Sequence, residues 1–374
     1  MKKEGKIIVI ADSFKGSLSS SEVAEAVKNA LSEKDAKLEV LTYDISDGGE
    51  GFAEIVTKAR GGKMVEMEAR DALKRPIKTR YGVADDFAVM DVASVVGLTK
   101  LTPMEQNPWA ATSYGVGEMI HHILRKGIRK IIIGLGGSAT NDCGRGMLEA
   151  LVGQKRIYDC MLEGPYGIRK SKNELVEALH EVAGLDDCEF IIASDVNNPL
   201  CGPNGATHVF AAQKGASPAI LPRLEQRNRK FGLFLEEQTG RKIIDQPGAG
   251  AAGGIGAALM TMKHWKMQRG IDILIDLYDL RPIMKSASLI ITGEGCIDRQ
   301  TLCGKAPYSI GLMAKEMGVP CIALCGRIND NFDTKEVPWT KIIQVSPPDQ
   351  SLSESMRPDV ARENIRKAIS SASL

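Results

Sequence analysis

Net charge is almost absent from this sequence, with 48 lysines and arginines set against 47 aspartates and glutamates in 374 residues. That balance leaves no electrostatic footprint for nucleic acid or an anionic membrane, so any anionic ligand has to be gripped locally. Long apolar runs are missing too. The opening MKKEGKIIVIAD places two lysines before a short apolar run, and Asp12 interrupts it too early for a signal peptide. No later stretch approaches the ~18 apolar residues that a membrane helix needs. The cysteines (Cys143, Cys160, Cys188, Cys201, Cys296, Cys303, Cys321, Cys325) stand singly without a CxxC pair. Reduced, packed thiols in the cytoplasm are therefore expected, not a disulfide framework. The histidines (His121, His122, His180, His208, His264) form no i, i+4 pair and no HExxH, which argues against zinc. Neither a solenoid repeat nor a low-complexity tract is present.

What is there reads as an α/β protein. A chain of 374 residues exceeds the usual size of a single core, so two domains are expected. Ile7 to Ile10 form a continuous β-branched run, the pattern of a parallel strand buried on both faces. Ser19 followed by Glu22 is a capping box, and Val23, Val27, Ala30 and Leu31 then recur at helical spacing. A strand over Leu38 to Tyr43 and a helix from Glu50 to about Ala59 complete an opening βαβ unit. The character then changes: Val65, Met67 and Ala69 alternate with charges, as do Ile77, Thr79, Tyr81 and Val83, and Phe87 to Val92 can pair with them. Period two marks antiparallel strands with one wet face. Further strands are predicted at Lys130 to Gly134, Phe190 to Ala193, Leu289 to Thr292 and Cys321 to Leu324. A helix with Pro307 in its first turn separates the last pair. Ser346 to Pro358 reads as a surface loop before a terminal helix. The expected architecture is a discontinuous Rossmann-like domain, residues 1–62 and 286–374, with a large inserted mixed-sheet α/β domain at 63–285.

Acids close several predicted strands: Asp12 after IIVIA, Asp47 after LTYDIS, Asp195 after FIIAS and Glu294 after LIITG. Ligands of open α/β sheets bind beyond the carboxyl ends of strands, so these acids can converge on one cleft, and carboxylates beside phosphates suit Mg²⁺. A strand-end acid also commonly does no more than cap a loop. Three glycine-rich loops accompany them. GLGGSATNDCGRGM, Gly134 to Met147, lies between a strand and a helix, where bare N–H groups and the positive helix end can cradle phosphate. Gly134, Gly136 and Ala139 also fit the GxGxxA of dinucleotide sites, but the helix starts too late after them. PGAGAAGGIGAAL, Pro247 to Leu259, has no strand before it and reads as close packing. GEGCIDRQTLCGK, Gly293 to Lys305, ends in Gly-Lys but lacks the first glycine and the Ser/Thr of a P-loop. Lys15, Lys214 and Lys305 each sit beside a glycine, where an ammonium can approach an oxyanion. Phosphoryl transfer needs positioning and charge neutralisation more than covalent chemistry, and these parts meet that need.

The strings DSFKGSLS, SDGGEG, GLGGSATND, DVNNPLCGPNGA, QKGA, PGAGAAGG and ITGEGCIDRQT, in this order from about Lys6 to Gly326, resemble the bacterial glycerate kinase family. The resemblance implies an ATP- and Mg²⁺-dependent kinase of D-glycerate giving 2-phosphoglycerate, with a flavodoxin-like domain carrying an inserted domain. Departures from the pattern are Ala11, Ser46, Cys143, Arg145 and Ala212; of these Arg145 puts a bulky cation beside the phosphate loop. With that resemblance, Asp195 is expected as general base or metal-orienting group, with Lys15 and Lys214 as catalytic cations. Gly136, Gly137, Ser138, Thr140, Asn141 and Lys305 are expected at the nucleotide phosphates. Ser13, Lys15, Asp47, Arg75 and Asn198 are expected at glycerate, and Asp47, Asp195, Glu294 and Asp298 at the metal. Neither nucleic acid nor membrane is an expected partner, and a monomer or homodimer is expected. Two alternatives are an NAD(P)-dependent oxidoreductase of a small hydroxy acid, resting on GxGxxA but lacking a proton-transfer histidine, and a non-catalytic metabolite-sensing module.

Overall fold

The computed structural model of the protein describes residues 5–46, 48–161, 174–299, 301–329, 332 and 337–372. Its strands are β1 (Ile7–Ala11), β2 (Val40–Thr42), β3 (Lys63–Arg70), β4 (Pro76–Ala84), β5 (Phe87–Asp91), β6 (Lys130–Gly134), β7 (Glu189–Ala193), β8 (His264–Gln268), β9 (Leu289–Ile297), β10 (Cys321–Ile328) and β11 (Lys341–Gln344). The chain forms two compact units, Met1–Asp47 with Ile271–Leu374, and Gly48–Gly270. Among the described residues no helix is long and apolar enough to cross a membrane.

The first unit holds a five-stranded sheet in the order β2-β1-β9-β10-β11, parallel throughout. Counted within the unit this is 2-1-3-4-5, the flavodoxin-like winding, and the order reverses between β1 and β9. Every residue of β1 is buried because both faces are covered, which is why its sequence shows no alternation. The helices Ser20–Lys34 and Pro358–Ser371 cover one face, where Val9, Ala11, Val23, Val27, Leu31, Ile291, Leu324, Ile365 and Ile369 form a core. On the other face the helix Ala306–Glu316 packs on β9, β10 and β1. The capping box forms as the sequence says: Glu22 N donates to Ser19 Oγ, and Ser19 N donates to Glu22 Oε2 at 2.9 Å.

The second unit holds a six-stranded mixed sheet, β3-β4-β5-β6-β7-β8, antiparallel from β3 to β5 and parallel from β5 to β8. Val65 pairs with Tyr81 and Met67 with Thr79, while Glu66 pairs with Arg80 and Glu68 with Lys78. This is the two-residue period of a sheet with one dry and one wet face. Met90, Val116, Ile120, Ile123, Ile131, Ile133, Phe190 and Ile192 lie in its core.

The units divide earlier than 62/63 and 285/286, the boundaries the sequence suggests. The helix Phe52–Ala59 belongs to the second unit, because it packs on β4 and β5 and because Asp91 at the end of β5 accepts the N–H groups of Gly51 and Ala53. At the other boundary Tyr278 belongs to the first unit, stacking edge-on against Tyr43 with centroids 5.4 Å apart. The strand predicted to stop at Thr292 continues to Ile297, so Glu294 lies inside β9 and not in a loop after it.

Candidate active site

In the first unit charged side chains gather at the switch point between β1 and β9. Asp12 follows β1 directly: its N–H donates to the Gly293 carbonyl at 2.8 Å, and its Oδ1 accepts from Ser13 N at 2.7 Å. The chain then doubles back, Phe14 bridging Leu18, through Gly16 at a φ of 77° that excludes most side chains. Lys15 is thereby presented at the surface. From β9 the Glu294 carboxylate, 7% exposed, accepts from Lys305 Nζ at 3.2 Å, and Asp298 Oδ1 lies 3.6 Å from the same ammonium. Asp298 is fixed by a turn in which it and Thr301 exchange hydrogen bonds, backbone N–H to side-chain oxygen each way, at 3.1 Å. Burial pushes the Glu294 carboxyl above its ordinary value, and the Lys305 ammonium pulls it back down. These groups line a cavity of about 410 Å³ together with Asp12, Ser13, Lys15 and Arg327.

The second unit holds the glycine-rich loop after β6. Its backbone donors are largely spent within the fold: Gly136 N on Gly48 O, Ala139 N on Val96 O, and Cys143 N on Gly253 O. The helix that follows, Arg145–Val152, is already capped. Asp142 Oδ2 accepts from Ser113 N, Ser113 Oγ and Gly146 N, and Oδ1 accepts from Gly144 N. A carboxylate thus occupies the positive helix end that the sequence offered to a phosphate. The GxGxxA match fails for the same reason, since the helix begins only at Arg145. Arg145 itself reaches along that helix to Glu149, Nε to Oε1 at 2.8 Å.

Lys214, expected as an approachable cation, is 4% exposed and donates from Nζ to Ser138 Oγ at 3.0 Å and to the Thr140 carbonyl at 2.8 Å. Burial pushes its ammonium down to about 7, and the nearby Asp142 carboxylate opposes the shift. Asn141 is fully buried, donating to Thr207 Oγ1 at 3.1 Å. The second glycine-rich loop, Pro247 to Leu259, read as close packing, is that: a Cβ on Gly253 would stand 1.9 Å from the Thr140 carbonyl, and Ala252 O accepts from Thr140 Oγ1.

The remaining expected residues are dispersed in role. Asp195, just past β7, accepts the Gly270 N–H on Oδ1 at 3.0 Å. Asn198 holds its own loop, Nδ2 donating to the Asn204 carbonyl at 2.8 Å. Arg75 closes the β3–β4 turn, with Nε 2.6 Å from Asp71 Oδ2 and Nη1 2.6 Å from Glu105 Oε1. Both carboxylates raise its pKa further, hydrogen bonding first. Asp47 lies outside the described residues. Of the four strand-end acids, Asp12 and Glu294 line one cavity in the first unit, and Asp195 belongs to the second.

Sequence reasoning missed Asp91, Asp142 and Arg327. The first two close strands or loops much as Asp12 and Asp195 do, and only their hydrogen bonds distinguish them as structural. For a metal the described residues offer no group of three ligating side chains. Glu294 and Asp298 nevertheless suit Mg²⁺, which takes one or two carboxylates, and Glu294 Oε1 is buried without a hydrogen-bond partner among the described residues.

Comparison with known proteins gives a consistent result. A family model described as "Glycerate kinase family" matches residues 7–373. A Bacillus subtilis protein named "Glycerate kinase" is 38% identical over 330 residues, covering 87% of this chain and 85% of that protein. One from Haemophilus influenzae with the same name is 36% identical over 330 residues, covering 88% and 87%. An Escherichia coli protein named "Glycerate 2-kinase" is 36% identical over 332 residues, covering 87% and 86%. A crystal structure of a Salmonella typhimurium LT2 protein assigned as glycerate kinase 2 superposes with a TM-score of 0.76 at 33% identity, covering 98% of this chain and 96% of that one.

Proposed function

The chain belongs to the glycerate kinase family, and from that premise we propose that it transfers the γ-phosphoryl group of ATP to the 2-hydroxyl of D-glycerate, giving 2-phosphoglycerate and ADP. Membership makes it a phosphotransferase, which sets aside the oxidoreductase and the metabolite-sensing module. The 2-position is supported by the Escherichia coli relative, whose name specifies it. The observation that carries the ATP reading is the cluster of Glu294, Asp298 and Lys305 at the switch point of a flavodoxin-like sheet, where such folds hold phosphorylated ligands.

Glu294 and Asp298 would hold Mg²⁺, which when bound neutralises charge on phosphate oxygens. Lys305 and Lys15 supply positive charge to the phosphates from the protein side. Asp195 is the proposed base, its carboxylate oriented by the Gly270 N–H. A sugar-acid hydroxyl has a high pKa, so alignment contributes more than early deprotonation. Asn198 and Arg75 are proposed for the polar groups of glycerate, and Asp47 remains with them. Lys214 acts through Ser138 and Thr140, holding their loop. A reducing cytoplasmic setting is part of the proposal, supported by the buried free thiols of Cys143, Cys188, Cys201, Cys321 and Cys325.

The test is ADP release coupled to D-glycerate. Turnover requiring D-glycerate, ATP and Mg²⁺ together is expected. ATP consumption that ignores glycerate overturns the proposal.

A further inference from the structure

The 410 Å³ cavity of the first unit has a second end that phosphate chemistry does not use. Lys305 opens the helix Ala306–Glu316 on one face of the sheet, whereas Phe14, Val345 and Ala361 belong to the core on the opposite face. All of them line the same cavity, which therefore crosses the carboxyl edge of the sheet from a charged side to an apolar one. Between the two sides lie Gly295 and Gly326, neighbours on β9 and β10. Neither carries a side chain, so backbone lines the cavity between the two sides.

The apolar side is completed by Leu352 and Met356 from the segment read in the sequence as a surface loop. Both side chains line the cavity, and they are 58% and 37% exposed. Met356 also reaches over Gly16, where an added Cβ would meet its terminal methyl at 2.6 Å. The apolar wall is thus tied to the loop that carries Lys15.

Glycerate is a small anion with polar groups on every carbon and has no use for such a wall. A purine nucleoside does. Its base has two apolar faces, and cavities of about 300–1,000 Å³ with mostly apolar walls and a few convergent polar groups are typical of sites that bury ligands of that size.

We propose that this cavity receives the base and ribose of the purine nucleotide donor, with Leu352, Met356, Phe14 and Val345 flanking the base and the phosphates directed toward Lys305. The inference rests on the ATP-dependent reading above and adds where the nucleoside lies. Leu352 and Met356 then set nucleotide affinity, although neither residue touches the reacting phosphate.

The experiment is calorimetric titration of ADP with Mg²⁺ into the full chain and into Leu352→Glu and Met356→Glu, together with steady-state kinetics in D-glycerate. The substituted side chains are already exposed, and the melting temperature of each variant checks its fold. A carboxylate placed against an apolar base should weaken ADP binding by roughly tenfold or more in both variants, with the KM for D-glycerate within about twofold of wild type. ADP binding equal to wild type in both folded variants overturns the inference and leaves the phosphotransferase reading intact. Failure of the unsubstituted chain to bind ADP or ATP overturns both.

Discussion

The ammonium of Lys214 lies 3.0 Å from the hydroxyl of Ser138, and both groups are buried. A lysine in that position is costly as a cation, which is why its pKa falls to about 7. Unfolded lysine titrates near ~10.4, so between about pH 7 and 10 the unfolded chain holds a proton that the folded chain has released. Stability must then rise with pH across that window and be indifferent to this group below it. Lys214→Met is expected to remove the rise, read as the difference between wild-type and variant melting temperatures from about pH 6.5 to 9.5. The variant should also lose turnover, because Ser138 and Thr140 lose the group that holds them.

Asp91 shows the opposite sign. Burial raises its carboxyl to about 7, with the Ala53 and Gly51 N–H groups pulling it down and Glu50 and Glu54 pushing it up. An unfolded aspartate titrates near ~3.9, so between about pH 4 and 7 the folded chain holds the extra proton and stability falls as pH rises. Asp91→Asn should flatten that fall in the same kind of melting series. A wild-type curve that parallels the variant throughout would show that Asp91 stays ionised in the fold.

Much of this architecture is legible in the sequence because it is local. Ile7 to Ile10 announce a doubly covered strand, Ser19 with Glu22 a helix start, and the alternation around Val65 and Tyr81 a half-wet hairpin. Strand order is not local. That β9 enters beside β1, creating the switch point, depends on pairing between Ile7 and Leu289, far apart in the chain. The extension of β9 through Glu294 was hidden for a similar reason: Gly-Glu-Gly has little strand propensity, and β10 supplies the pairing, as in Arg327 with Cys296.

The candidate site was legible as residue types but not as roles. Lys15 and Lys214 look alike in sequence, each beside a glycine, yet Lys15 is exposed and Lys214 is enclosed. Gly215, at a φ of 94°, closes against the Gln106 carbonyl, and only the folded chain reveals that closure. Asp142 likewise reads as part of a phosphate loop and proves to be the cap that fills it. Leu352 and Met356 sit among serines and prolines, and nothing in that composition points to a cavity wall.

For Asp195 the expected outcome is kinetic. Asp195→Asn keeps an oxygen for the Gly270 N–H and should melt near the wild-type temperature. Its kcat should fall by about 10²-fold or more, the usual share of a positioned base. Near-normal turnover in the folded variant removes Asp195 from that role.

The central claim is tested most directly by the proton-coupled phosphorus NMR spectrum of the product formed from ATP and D-glycerate. Transfer to the 2-hydroxyl should give a phosphate ester split by the one methine proton, matching 2-phosphoglycerate. A signal split by the methylene pair of 3-phosphoglycerate, or no ester at all while ATP disappears, would contradict it.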